Sequence, residues 1–318
     1  MDKINTFTST GIKIIHHPEV IEKLQSLQAT PVTLQIAPTS RCNLNCVFCS
    51  NVNRGTGEDL DVSAVQDLIL NIYNYGLKSV EWTGGGDPTM WHSINEMIEW
   101  LNNWSHLSYL EIKQGMITNG VAVTEKISQK NLDMLTWLRI SMNCLDYVPT
   151  INIPEIKGTL GFSYVVNDKT TEDVWERLDK YVCLYRPSYV RIVPNCQATD
   201  EQQVENNRML GEMVEKKGKP YFYQAKVFQK PDECYWCYLK PFLLHDGWVY
   251  PCSSVVLNYD AERKFHEKYR WEKMEDLPLI YAKKVRPFPT EHCNHCVFFN
   301  QNELIRSIIH PSGMEDFI

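Results

Sequence analysis

Residues 41–50 read RCNLNCVFCS. Cys42, Cys46 and Cys49 crowd into eight positions, with three and then two residues between them. The loop follows directly on a short apolar run, VTLQIA (32–37). Iron–sulfur clusters are held by thiolates, normally four of them. Three closely spaced thiols leave one iron open to bind something else. Zinc is the competing occupant, but structural zinc prefers four protein ligands, one of which a distant residue can supply. The spacing alone therefore leaves both metals open.

Working outward, a rhythm begins at residue 32. Apolar runs rich in β-branched residues occur at 32–37, 79–84 (SVEWTG), 111–118 (EIKQGMIT), 137–142 (WLRISM), 161–166 (GFSYVV) and 189–193 (YVRIV). Between them lie segments with helical spacing at 62–76, 93–104, 124–135, 171–185 and 201–218. Strands alternating with helices read as βα units around a parallel sheet. Asp61 or Ser63 can cap the first helix, with Gly76 just past its end. Thr124 and Thr171 precede acidic residues suited to a first turn. The connection DYVPTINIPEIKG (146–158) carries two prolines and reads as irregular. Six units predict an incomplete barrel, (β/α)6, rather than the eight of a closed TIM barrel. Loops after the C-terminal ends of such strands build active sites, and the three-cysteine loop holds that position.

The chain has 318 residues, 43% of them hydrophobic, and a formal charge of −7. That acidic balance weighs against broad nucleic-acid binding. No run of about 18 apolar residues suggests a membrane span. The N-terminus, MDKINTFTST, lacks a signal-peptide pattern. With eleven cysteines and no secretion signal, the expected setting is a reducing, cytoplasmic one, where clustered cysteines bind metal more often than they pair. Eight of the eleven fall into three groups; Cys144, Cys183 and Cys196 stand alone.

After about residue 220 the rhythm stops. Strand-like FLLH and WVYP flank a turn at Asp246-Gly247, and NELIRSII reads as a last helix. The domain expectation is a lead-in over 1–31, the barrel over 32–220, a cysteine-rich domain over 221–300, and a helix and tail over 301–318. CYWCYLKPFLLHDGWVYPC places Cys234, Cys237 and Cys252 around Gly247, a residue that eases the hairpin turn. Cys293 and Cys296 follow forty residues on. Five thiols compete for four metal corners, and a CxxC…CxxC zinc site remains the alternative to iron–sulfur.

At the first loop the chain resembles the radical S-adenosylmethionine (SAM) family, whose motif is CxxxCxΦC; here the aromatic is Phe48. EWTGGGDPT (81–89) resembles the family's GGE segment, with Gly85, Gly86 and Asp87 in the motif and Asp where Glu is more usual. ITNG (117–120) and RISMN (139–143) resemble the ends of the third and fourth strands, and Asn167 and Asn195 end later ones. The resemblance covers residues 32 to about 195. It implies a [4Fe–4S] cluster on Cys42, Cys46 and Cys49, with SAM on the open iron. It also implies SAM contacts from Phe48, Gly85, Gly86, Asp87, Ser141, Asn143 and Asn167, each of which reads equally as a core or turn residue. Reduction would cleave SAM to a 5′-deoxyadenosyl radical that abstracts a substrate hydrogen, with electrons from a flavodoxin- or ferredoxin-type donor. The second cysteine set resembles the abbreviated SPASM domain called Twitch. It implies one auxiliary cluster, of [4Fe–4S] type, on Cys252, Cys293, Cys296 and either Cys234 or Cys237. In the alternative, three cysteines bind and one iron meets substrate, as in the related molybdopterin-precursor enzymes.

Cys144 and Cys196 follow strands at the barrel rim; each reads as a hydrogen-atom donor or as an inert buried thiol. Cys183 reads as core, His245 as a hairpin residue, and Trp91, Trp100 and Trp104 as packing. Arg139 and Arg191 suit either a carboxylate or phosphate ligand, or a structural ion pair. The expected substrate is a small polar metabolite or a nucleoside-type molecule. No leader-peptide-recognition domain is visible before residue 32, which counts against peptide modification or epimerisation. Acidity counts against modification of a base in nucleic acid. A non-enzymatic zinc-binding interaction module completes the alternatives.

Overall fold

The computed structural model describes residues 3–51, 55, 57–107, 111–195, 198–225, 229–254, 265–291, 293, 296–314 and 316. Ten strands occur among them: β1 (Thr33–Ile36), β2 (Ser79–Trp82), β3 (Lys113–Thr118), β4 (Trp137–Ser141), β5 (Thr159–Val166), β6 (Tyr189–Pro194), β7 (Tyr221–Tyr223), β8 (Phe242–Leu243), β9 (Trp248–Tyr250) and β10 (Glu272–Lys273). The chain forms two compact units. One comprises Met1–Gln35, Leu60–Ser79 and Val227–Ile318; the other comprises Ile36–Asp59 and Val80–Lys226.

The second unit is the α/β body. Its strands run in the order β2-β3-β4-β5-β6-β7, and β3 to β7 are all parallel. This matches the expected partial barrel, with one addition. The rhythm does not end at β6: three residues, Tyr221–Tyr223, add a short parallel edge strand. A three-residue strand carries too little periodicity to be read from sequence.

The helices stand where the apolar spacing puts them, and caps set their starts. Asp61 caps the helix Val62–Tyr73, its Oδ1 accepting from Ala64 N at 2.9 Å. Thr171 caps Glu172–Tyr185, and Thr199 with Gln202 forms a capping box on Asp200–Lys217. One expected helix, 124–135, is instead two short ones, Val123–Lys126 and Gln129–Leu132. Ile127 between them is extended. The side chain of Asn95 stabilises the break: its Nδ2 donates to Lys126 O (2.6 Å) and its Oδ1 accepts from Ser128 N (3.0 Å). Asn131 Nδ2 donates to the same oxygen at 2.9 Å. Asn95→Ala is expected to lower stability by about 1–2 kcal/mol, since each such bond is worth about 1 kcal/mol net. A denaturant midpoint equal to that of the parent would show that water replaces the carboxamide.

The outer face of the parallel sheet is apolar. Leu138, Ile140, Phe162, Val190 and Ile192 are fully buried, each contributing about 1.5–3 kcal/mol. The polar Gln114 on this face is satisfied on both ends, accepting from Trp82 Nε1 and donating to Ile98 O, both at 3.0 Å. Trp91 is packing, fully buried beside Trp82, while Trp100 and Trp104 stack on each other half-buried. Cys183 is exposed, contrary to the core expectation. The buried residues of its helix are Val174 and Leu178, and position 183 falls off that stripe.

In the first unit β8, β9 and β10 form an antiparallel set, with β8 next to β1. The turn at Asp246-Gly247 is the expected hairpin. Gly247 adopts φ +78°, and Asp246 Oδ1 accepts from Trp248 N at 3.0 Å. The last helix starts earlier than NELIRSII, spanning Phe299–Ile309 and burying Asn302, Ile305 and Ile309. Among the described residues, no helix is long and apolar enough to cross a membrane.

Candidate active site

The three-cysteine loop leaves the end of β1 and is tied off at its base. Thr39 Oγ1 donates to Asp59 Oδ1 at 2.5 Å, Arg41 pairs with the same carboxylate, and His92 Nδ1 lies 3.2 Å from it. Ser40 Oγ accepts from Gly57 N and Glu58 N, both at 2.9 Å. Residues 39–41 and 57–59 thus form a stem, and the loop between them carries the thiols.

Cys42, Cys46 and Cys49 are all half-buried and free. Burial pushes the Cys46 thiol up to about 12, with the neighbouring Cys49 and Cys42 adding to the rise. Cys42 and Cys49 therefore both lie near enough to act on Cys46. Two side chains from later strand ends reach this loop. Asn119 Nδ2 reaches Cys42 Sγ at 3.7 Å and Asn43 Oδ1 at 2.7 Å. The Tyr147 hydroxyl accepts from Val47 N at 2.9 Å and lies near enough to the Cys46 thiol to lower its pKa against the effect of burial. Neither residue was selected from the sequence. Asn119 sits in the quoted ITNG segment without a signal of its own. Tyr147 lies 100 residues from Val47 in an irregular connection, where no periodicity marks it.

The glycine segment lies against this stem by backbone. Thr83 N donates to Ile36 O, Gly86 N to Thr39 O and Asp87 N to Arg41 O, each at 2.8 Å. A Cβ on Gly86 would overlap the Arg41 carbonyl oxygen and come within 2.7 Å of Ser40 C. A Cβ on Gly84 would overlap the Gly86 carbonyl oxygen. Gly85 is buried. The carboxylate of Asp87 is only 3% exposed. It accepts from Thr89 N (3.0 Å), Thr89 Oγ1 (2.6 Å), Thr118 Oγ1 (2.9 Å) and Asn119 N (2.7 Å). Burial raises its pKa despite these donors. Its side chain ties the second strand end to the third and leaves backbone as this segment's open face.

The remaining candidates divide. Phe48 and Ser141 are half-buried at the loop and at the end of β4. Asn143 is 1% exposed and satisfied, exchanging bonds with Val165 N (2.7 Å) and O (2.8 Å) and donating to Asp146 Oδ2 (3.0 Å). Asn167 Nδ2 donates to the same Asp146 oxygen at 3.0 Å. Both asparagines thus brace the β4 and β5 ends through Asp146. Cys144 is fully buried in the turn Met142–Asp146, and burial pushes its thiol up to about 12. Cys196 lies outside the described residues.

The second set converges in the other unit. Cys234 and Cys237 are buried; Cys252, Cys293 and Cys296 are half-buried. Burial raises the last three, and Cys234 adds to the rise in each. A hydrogen bond from Cys237 lowers Cys234 itself. Asn302, from the last helix, accepts from Tyr235 N (2.8 Å) and Trp236 N (2.9 Å) and donates to Cys296 Sγ at 3.9 Å. His245 is buried within the hairpin. Among the described residues, no group of three or more His, Cys, Asp or Glu is arranged to hold a metal ion.

A parallel α/β body with a three-thiol loop after its first strand, backed by a glycine segment, has counterparts among known proteins. The family model described as the Radical SAM superfamily matches residues 36–201, and the chain belongs to that superfamily. It is 28% identical over 255 residues to an uncharacterized protein of Methanocaldococcus jannaschii, covering 68% of this chain and 83% of that one. It is 26% identical over 278 residues to a probable GTP 3′,8-cyclase of Pyrococcus horikoshii, covering 84% and 79%. Its fold resembles Streptococcus suis SuiB bound to S-adenosylmethionine (TM-score 0.51, 13% identity, 84% of this chain and 72% of that one). It also resembles native anSMEcpe with bound AdoMet and Kp18Cys peptide (TM-score 0.52, 15% identity, 88% and 84%).

The chain is therefore an enzyme, which removes the zinc-module alternative, and its family implies SAM and a [4Fe–4S] cluster. The donor chemistry, three thiols on one loop, is the kind such a cluster takes, while the sulfurs as they stand are not gathered into a metal-holding arrangement. The three thiols stand on a tied-off loop, Cys42 and Cys49 both acting on Cys46, beside a glycine backbone that admits no side chain at position 86.

Proposed function

We propose that the chain cleaves SAM reductively to modify a small polar metabolite or nucleoside-type molecule, with an auxiliary iron–sulfur cluster on the second cysteine set. The observation that carries this reading is the contrast between the two thiol sets: three half-buried sulfurs on one loop, and five convergent sulfurs in the other unit. The first is short of four by one; the second exceeds four.

Bound at Cys42, Cys46 and Cys49, the cluster and SAM together supply one-electron cleavage of the sulfonium and abstraction of a substrate hydrogen. The protein's part is orientation and shielding. The stem at Asp59 fixes the loop, Asn119 bonds the Cys42 sulfur and Tyr147 stands by Cys46, and the backbone at Gly84–Asp87 would offer carbonyls to the amino group of bound SAM. Hydrogen bonds to ligand sulfurs tune both affinity and potential. The apolar outer sheet keeps water from behind the site, as radical chemistry requires.

Likeness to a probable GTP 3′,8-cyclase over most of both chains supports the nucleoside-type substrate. The spacing Cys234-x2-Cys237 before Cys252 supports a second arrangement, in which three of these thiols bind and one iron faces substrate.

Anaerobic reconstitution tests the proposal. The parent is expected to hold about eight irons and form 5′-deoxyadenosine with dithionite. Cys252→Ala is expected to hold about four and still cleave SAM. About four irons in both proteins would remove the auxiliary cluster from the reading. A parent that forms no 5′-deoxyadenosine would remove SAM cleavage.

A further inference from the structure

We propose that the inner face of β4 to β6 carries an anion-binding site centred on Arg139, which takes a carboxylate or phosphate of the bound small molecule. The proposal rests on reading this face as the reaction chamber.

Strand alternation separates the two faces. Gln114 reaches Ile98 of the helix behind the sheet, and Tyr164 packs on Trp175 at 5.5 Å. Residues out of phase with these point the other way. Contacts agree: a Cβ on Gly115 would run into the Trp137 ring, and one on Gly161 into the Tyr189 ring. Arg139 stands two residues beyond Trp137 on the same face, its guanidinium 5.4 Å from that ring's centroid. Its register neighbours are Ile117 and Gly161. Arg191 lies on the same face, beside Ser163.

Arg139 is 7% exposed, and its buried Nε has no hydrogen-bond partner. No carboxylate among the described residues forms an ion pair with it. Strands β3 to β7 contain Lys113, Arg139 and Arg191, and no Asp or Glu. A buried charge is costly unless paired and hydrogen-bonded. Arginine is always charged, so it cannot escape by losing its proton. Trp137 supplies a cation–π contact but no acceptor. The side chain is thus placed, desolvated and short of an anion, and its planar fork matches carboxylate or phosphate geometry. We assign that anion to the substrate.

The test uses the full chain, reconstituted anaerobically, and its Arg139→Met and Arg139→Lys variants. Thermal unfolding is followed with and without pyrophosphate or citrate. The parent's midpoint is expected to rise by about 2 °C or more with an anion. Arg139→Met should lose that rise. In anion-free buffer it should also unfold at a higher temperature than the parent, because it removes an unpaired buried charge. An arginine serving the fold would give the reverse, a lower midpoint with the anion rise intact, and that result overturns the site. So does a parent with no anion response. Should Arg139→Met fail to fold, Arg139→Lys decides. A weakening of the anion dose-response by about tenfold supports the site, and an unchanged one overturns it. SAM affinity in the Lys variant then identifies the source. Parental binding supports the assignment to the substrate, and weakened SAM binding overturns it. Failure of the parent to cleave SAM would sink the proposed function separately, since the anion response does not depend on turnover.

Discussion

Cys46→Ala is expected to reduce 5′-deoxyadenosine formation to background while the chain stays folded. Cys46 is the middle thiol of the loop, and both other thiols raise its pKa. It is also the sulfur whose pKa the nearby Tyr147 hydroxyl lowers. Replacing it leaves two sulfurs on a loop that has three, too few to hold a cluster of this kind. Changes to residues that only orient ligands cost about 10–100-fold in metal affinity or activity, so loss of a ligand should exceed 100-fold or so. Iron should fall by about four per chain relative to the parent. Tyr147→Phe gives the graded comparison. It keeps all three thiols and removes only the hydroxyl, so its iron retention should fall within that 10–100-fold range. The fold should tolerate both changes, because the stem at Thr39, Ser40, Arg41 and Asp59 closes the loop without either side chain. Parental SAM cleavage by Cys46→Ala would show that cleavage does not run through this loop.

The parallel strands and most helices were legible because burial on one face imposes a period, and caps such as Asp61 and Thr171 mark starts by chemistry alone. The loop thiols were legible because their spacing is local. What escaped the sequence was determined by partners far along the chain. Helix 124–135 breaks because Asn95, some thirty residues earlier, bonds the carbonyl and amide at the break. Position 183 looks apolar, but only packing decides which helical stripe is buried. Asn119, Tyr147 and Asn302 reach sulfurs across gaps that no motif spans. Asp87 illustrates a different limit. The motif marked it as a ligand contact, and its side chain proves to be a buried tie between strand ends. The position was legible, but which of its atoms remain open was not.

That division bears on the second large effect. If the glycine segment works through its backbone, adding a single methyl group should damage the site as severely as losing a charged group would elsewhere. Gly86→Ala is expected to destabilise the chain by about 3 kcal/mol, at the upper end for overpacking. The new Cβ would overlap the Arg41 carbonyl oxygen and press on Ser40 C at 2.7 Å. Neither neighbour is the free end of a flexible side chain. Arg41 O is held by Asp87 N, and Thr39 O by Gly86 N, each at 2.8 Å. Relief therefore requires the segment to part from the stem, breaking both bonds and shifting Cys42, which follows Arg41 directly. Iron retention and SAM affinity should fall together with the denaturant midpoint. Gly218→Ala is the control. Unlike Gly86, it occupies a positive φ, +68°, and a Cβ there meets nothing within 4 Å, so its cost is backbone strain alone, about 1 kcal/mol, with SAM affinity unchanged. Equal losses of SAM affinity in the two variants would mean that close approach to the stem does not explain the glycine at 86. A stable Gly86→Ala chain with parental SAM affinity would show that the segment has room the packing denies.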